Sequence, residues 1–202
     1  MKLRVLGCSG GIGGRHLRTT SLLADDDILI DAGTGAGELE LEQLMRIDHV
    51  FLTHSHLDHV ACLPLIVDTV GDLRNRPLTV YVTVETREIL QQHIFNWLIW
   101  PDFTVLPTPA QPFMRFQTVK VGESIMLGTR RVTVLPAEHT VPAVGFQLDI
   151  GLCIIRICGG FFPLRVKPLG GVFASFGQKA CVNFPIVAAD EIADFFFALH
   201  HH

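Results

Sequence analysis

The stretch FLTHSHLDHV, residues 51–60, places His54, His56, Asp58 and His59 within six positions, directly behind a short apolar run. Neutral imidazole and carboxylate are the usual nitrogen and oxygen ligands of zinc and similar first-row metals. If a strand ends here, the alternate residues His54 and His56 point the same way. Asp58 and His59 follow one turn later and can face a second ion nearby. Two adjacent ions activate water and oppose the charge that builds on a scissile phosphate. The competing reading is a surface loop that happens to be rich in histidine. Four potential ligands in six residues behind a buried-looking strand favour metal.

Such residues need a scaffold. HVFL (49–52) reads as a buried strand that delivers the cluster. LRVL (3–6), SLLA (21–24) and ILID (28–31) read as strands, the last two forming a hairpin around the acidic turn Asp25-Asp26-Asp27. Apolar residues at 60, 63, 66, 67 and 70 predict a helix after the cluster, with Pro64 in its first turn. Residues 38–46 and 85–95 read as helices, and 78–82, 119–127, 131–136, 144–148 and 153–157 as strands. Alternating strands and helices predict a layered α/β domain.

Composition bounds the rest. The chain has 202 residues, 49 % of them hydrophobic and 18 % charged, which excludes a disordered chain. A formal charge of −4 argues against sequence-independent binding to nucleic acid, which needs a basic face, but not against a small anionic substrate. Five cysteines without a C-x-x-C pair read as reduced thiols of a cytoplasmic protein. The start is too short in apolar residues for a signal peptide, and no run of about 18 apolar residues predicts a membrane span.

The motif T-H-S-H-L-D-H (53–59) resembles the metal motif of the metallo-β-lactamase fold. The resemblance implies an αββα sandwich with metal at the sheet edges. It implies that His54 and His56 ligate one ion, and that Asp58 and His59 ligate the other and are the catalytic candidates. AEHTVPAVGF (137–146) is similar to the loop that gives the first ion its third histidine, here His139. Two divalent ions, zinc first and manganese or iron next, are the cofactors implied.

LGCSGGIGG (6–14), RTTSLL (18–23), ILIDAGTGAGEL (28–39), H-S-H-L-D-H-V (54–60) and FNWLIWPDF (95–103) resemble the bacterial class II-like 3′,5′-cyclic-nucleotide phosphodiesterases of this fold, with Cys62 where that signature prefers Gly or Ser. The implied substrate is a small cyclic nucleotide, cAMP or cGMP. Gly-rich loops at 7–14 and 33–37 could approach a phosphate or be ordinary turns. Asp31 could orient a ligating histidine or cap a turn. Trp97 and Trp100 read first as core or interface residues and second as a base-stacking pair. A tRNA 3′-processing endonuclease of the same fold is the alternative, since the same histidine motif and His-x-Val-Pro loop fit it. Against it, AGTGAG (32–37) lacks acidic and glutamine residues, and no basic arm is evident.

The resemblance covers residues 1–149, read as a metallo-β-lactamase-like domain. Residues 150–202 are an atypical segment with eight of the fourteen phenylalanines, and His200, His201 and His202 read as a tag remnant. The family adds a bridging Asp in a Gly-Asp pair and one later His. Here Gly159-Gly160 stands at the first place, and only the terminal histidines follow. Asp149 falls before the expected strand and is a poor substitute bridge. The second half of the sandwich is therefore expected to be incomplete, through truncation, a frame change or a rebuilt C-terminus. One ion is then held more firmly than the other, and a metal-binding remnant without activity is the third reading. An uncovered apolar sheet face would favour a homodimer.

Overall fold

Alternation sorts the strand side chains between two hydrophobic layers. Leu23, Leu29, Val50, Leu52, Val80 and Val82 share one core with the helices. Their neighbours Leu22, Ile28, Ile30, Phe51 and Tyr81 share the other with Val132, Val134, Val144, Phe146 and Leu148. Successive strand residues point to opposite faces, so a strand buried on both sides reads as an unbroken apolar run.

The structure is a computed structural model, and it describes residues 2–14, 17–149, 154–158, 171–176 and 180–185, the last three segments as backbone strands. The first sheet contains β1 (Leu3–Gly7), β2 (Ser21–Ala24), β3 (Ile28–Ile30), β4 (His49–Phe51) and β5 (Leu78–Val82). A short ribbon of β6 (Pro107–Thr108) and β7 (Gln111–Pro112) precedes the last strand of that sheet, β8 (Met114–Thr118). Strands β3, β4, β5 and β8 are mutually parallel. Helix α1 (Leu41–Arg46) joins β3 to β4, α2 (Leu57–Val60) and α3 (Leu63–Val70) join β4 to β5, and α4 (Val84–His93) follows β5. Pro64 sits in the first turn of α3, where its missing N–H costs nothing.

The second sheet contains β9 (Ser124–Leu127), β10 (Arg130–Ala137), β11 (Ala143–Asp149), β12 (Ile154–Cys158), β13 (Gly171–Phe176) and β14 (Ala180–Pro185), in the spatial order β13-β14-β12-β11-β10-β9 and antiparallel throughout. The two sheets pack through Phe51, which stacks on Tyr81 at 4.2 Å and meets the edge of Phe146 at 5.2 Å. Burying a phenylalanine this fully stabilises by about 2–3 kcal/mol. Among the described residues the layers run from helices to the first sheet to the second sheet.

One expectation is corrected. Residues 119–127 are not one strand: β8 ends at Thr118, a turn through Gly122 (φ 87°) follows, and β9 begins at Ser124. The left-handed turn reverses the chain from one sheet to the other, and glycine adopts it without a Cβ penalty. Part of the segment after Gly160 also forms strands, because β13 and β14 zip as a hairpin from Gly171↔Pro185 to Phe176↔Ala180. Its partner, not its own alternation, specifies it. The Gly159-Gly160 pair and His200–His202 lie outside the described residues. Among the described residues no helix is long and apolar enough to cross a membrane.

Candidate metal centre

Two parallel strands, β3 and β4, end side by side at one crest and supply most of the site, and a loop of the second sheet supplies the rest. Past β3 the chain reaches Asp31, whose N–H donates to Phe51 O at 2.9 Å and whose φ is 56°. Past β4 it reaches Thr53 and His54. The second sheet joins here, because Val144 N donates to Thr53 O at 2.9 Å. That contact brings the β10–β11 loop, and His139 with it, over the end of β4.

Asp31, Thr53, His54 and His59 are all buried. Asp31 accepts hydrogen bonds from Thr53 N (2.8 Å), from Thr53 Oγ1 (2.9 Å to Oδ2) and from His59 Nδ1 (2.7 Å). An ionised carboxylate only accepts, so His59 carries its proton on Nδ1 and presents Nε2 as a ligand. Thr53 has one hydroxyl proton. Given to Asp31, it leaves the oxygen to accept from His54 Nδ1 at 3.0 Å. His54 therefore also turns Nε2 into the cluster. One carboxylate thus sets the tautomers of two histidines, one directly and one through Thr53.

His54 Nε2 lies 3.1 Å from His56 Nδ1, which lies 3.2 Å from His139 Nε2. One proton on His56 Nδ1 can bridge only one of these contacts. A shared cation satisfies both: two nitrogens on zinc at about 2.0–2.1 Å and tetrahedral angles stand about 3.3 Å apart. These three ligand atoms all lie within 4.8 Å of one another. The donor set fits one divalent ion of the type that accepts imidazole. Among the described residues this is the group of three or more ligand side chains that converges.

Asp58 and His59 form a separate pair, with His59 Nε2 3.6 Å from Asp58 Oδ2. Their turn is held from below. Ala32 N donates to His59 O at 2.7 Å, and Cys62 N donates to Ala32 O at 2.8 Å. Gly33 packs so tightly that a Cβ on it would stand 2.3 Å from Asp58 O. Gly33 is thus a packing position behind the Asp58 turn.

Five sequence candidates meet around this crest: His54, His56 and His139 in one group, Asp58 and His59 in a neighbouring pair. Asp31 takes the orienting role. Asp149 does not approach. It stands at the other end of β11 from Val144, five residues or about 17 Å along an extended strand. Trp100 packs partly buried against the helix-side core, whereas Trp97 is exposed with φ 66°. Thr53 was missed. Its signal is a hydroxyl residue between a buried strand and the first histidine, which becomes informative only once Asp31 is known to lie beside it.

The residue pattern and the layers have counterparts in known proteins. The model of the Beta-lactamase superfamily domain matches residues 26–154. A probable 3′,5′-cyclic-nucleotide phosphodiesterase of Yersinia pestis is 34 % identical over 96 residues, covering 46 % of this chain and 26 % of that protein. A ribonuclease Z of Methanopyrus kandleri is 30 % identical over 153 residues, covering 73 % of this chain and 50 % of that protein. The chain thus spans half or less of the length of these relatives. Among solved structures, a metallo-beta-lactamase fold protein of Bacillus subtilis superposes with a TM-score of 0.63 at 17 % identity, over 80 % of this chain and 64 % of that one. Unliganded yeast PDE1 does so with a TM-score of 0.63 at 17 % identity, over 82 % and 66 %. At that identity the likeness is one of fold.

Proposed function

The chain belongs to the beta-lactamase superfamily, and from that premise we propose that it is a metal-dependent phosphodiesterase that hydrolyses 3′,5′-cyclic nucleotides. The observation that carries the reading is the convergence of His54 Nε2, His56 Nδ1 and His139 Nε2, at 3.1 and 3.2 Å, beside the Asp58–His59 pair. His54, His56 and His139 hold the first divalent ion, zinc by ligand type, and Asp58 and His59 offer two donors to a second. When bound, such ions lower the pKa of water and oppose charge on a phosphoryl oxygen. The protein's own part is orientation. Asp31 and Thr53 keep the ligating nitrogens deprotonated and aimed, so no rearrangement is needed as the substrate arrives.

The 34 % identity to the Yersinia pestis phosphodiesterase supports the cyclic-nucleotide substrate. A second reading has its own observation. The ribonuclease Z match extends over more of the chain, 73 % against 46 %, which favours an RNA endonuclease. Hydrolysis assays with the zinc- or manganese-loaded chain separate the two. Release of 5′-mononucleotide from cAMP or cGMP supports the proposal. Cleavage of a 3′-extended tRNA without cyclic-nucleotide turnover overturns it in favour of the nuclease. Inactivity on both leaves a metal-binding remnant.

A further inference from the structure

His139 faces two ways. Its ring closes the histidine cluster, and it also lines an open cleft of about 930 Å³. The cleft runs between the start of α4, the turn after β8 and the β10–β11 loop. Thr83 and Val119 follow the carboxyl ends of β5 and β8, the crest where open parallel sheets bind ligands. Small-molecule sites commonly have about 300–1,000 Å³, apolar walls and a few polar groups. Here Val84, Val121, Val141 and Pro142 supply aliphatic wall, and Glu85, Lys120 and Glu138 supply charge.

We infer that this cleft is the subsite for the purine base of a mononucleotide substrate; the inference rests on the phosphodiesterase reading and adds the part of the substrate that is not cleaved. Among the described lining residues two carboxylates stand against one ammonium, a net negative charge. That repels a run of phosphates, which a polynucleotide track must attract. The same carboxylates accept hydrogen bonds from ring N–H and exocyclic amino groups of a purine. Among the described residues the lining contains no Phe, Tyr or Trp, so along that part the stacking platform typical of single-strand binding is lacking. The ring is gripped between aliphatic side chains of the cleft that His139 also lines.

The test uses the full chain with EDTA present and two nucleosides, adenosine and guanosine, which carry no phosphate and need no metal. Titration by NMR or calorimetry detects saturable binding of at least one of them. Val121→Asp places a further carboxylate on the wall at an exposed position that supplies no ligand to the cluster. It weakens nucleoside binding about ten-fold and, in the metal-loaded protein, raises KM for the cyclic nucleotide about as much with kcat little changed. Absence of nucleoside binding, or equal binding by the variant, overturns the inference. So does tight binding of a short RNA where nucleosides fail. Cyclic-nucleotide turnover with a KM insensitive to Val121→Asp sinks the cleft assignment while leaving the phosphodiesterase reading intact. Nucleoside binding that Val121→Asp removes, without cyclic-nucleotide turnover, upholds the cleft and sinks the phosphodiesterase.

Discussion

Thr53 does with one hydroxyl what no charged residue at its position could do. It passes the acceptor strength of Asp31 to His54 while its backbone N–H holds the other carboxylate oxygen. Thr53→Val keeps the shape and removes the relay. Metal affinity should fall about 10–100-fold with the fold retained, read by competition with a chelator and by circular dichroism. An unchanged affinity would show that His54 needs no orienting partner. His56 is the middle of the cluster, the residue both other histidines approach. His56→Ala should cut phosphodiesterase turnover at least about 100-fold. Near-normal turnover would refute the site. Gly33 acts from behind. Gly33→Ala drives a methyl group into Asp58 O, with an expected loss of about 1–3 kcal/mol in urea unfolding. At this scale the sequence was legible where ligand chemistry repeats at short spacing, as in His54, His56, Asp58 and His59. It was silent on Thr53, whose role depends on a partner 22 residues away.

At the scale of elements, the acidic turn between β2 and β3 is a clamp. Arg130, on β10, bonds Asp27 through both guanidinium nitrogens at 2.6 Å and reaches Asp25 at 3.1 Å. This ties the first sheet to the second across their edge. Burial opposes the charge on Asp27, but the hydrogen bonds and charge of Arg130 outweigh it and hold the carboxyl below the usual range. A folded pKa below the unfolded value stabilises above about pH 3.9, and that stabilisation is lost as pH falls through the folded value. Asp27→Asn should therefore cost about 1–2 kcal/mol at pH 7, allowing for partial exposure, and much less at pH 3. Urea unfolding at both pH values checks it, and an equal gap at both would contradict the clamp. The β2–β3 hairpin, β4, β5 and the helix after the cluster were legible because burial on both faces writes them as apolar runs. β8 was not. Its MRFQT mixes polar and apolar residues at the sheet edge, and the next apolar residues, Val119 and Val121, flank a change of sheet.

For the whole molecule, the two sheets meet so that a loop of the second completes a ligand set begun on the first. His139 is 83 residues from His56, and the Val144 to Thr53 contact and the packing of Phe146 on Phe51 help bring them together. No periodicity announces that meeting. It was legible only through the resemblance of AEHTVPAVGF to a family loop. The change of texture near residue 149 does not stop the second sheet, since β12 pairs with β11 through Leu148↔Ile155. The expected loss of the bridging Asp at Gly159-Gly160 and of the last histidine concerns residues outside those described.

The most direct measurement is metal content per folded chain, by elemental analysis after removal of the terminal histidines and dialysis against buffered zinc, for the parent chain and for His139→Ala. The account predicts at least one ion per parent chain and loss of that ion in His139→Ala, because three imidazoles from two sheets share it. A parent chain that binds none, or a His139→Ala chain that keeps the same number, would contradict it.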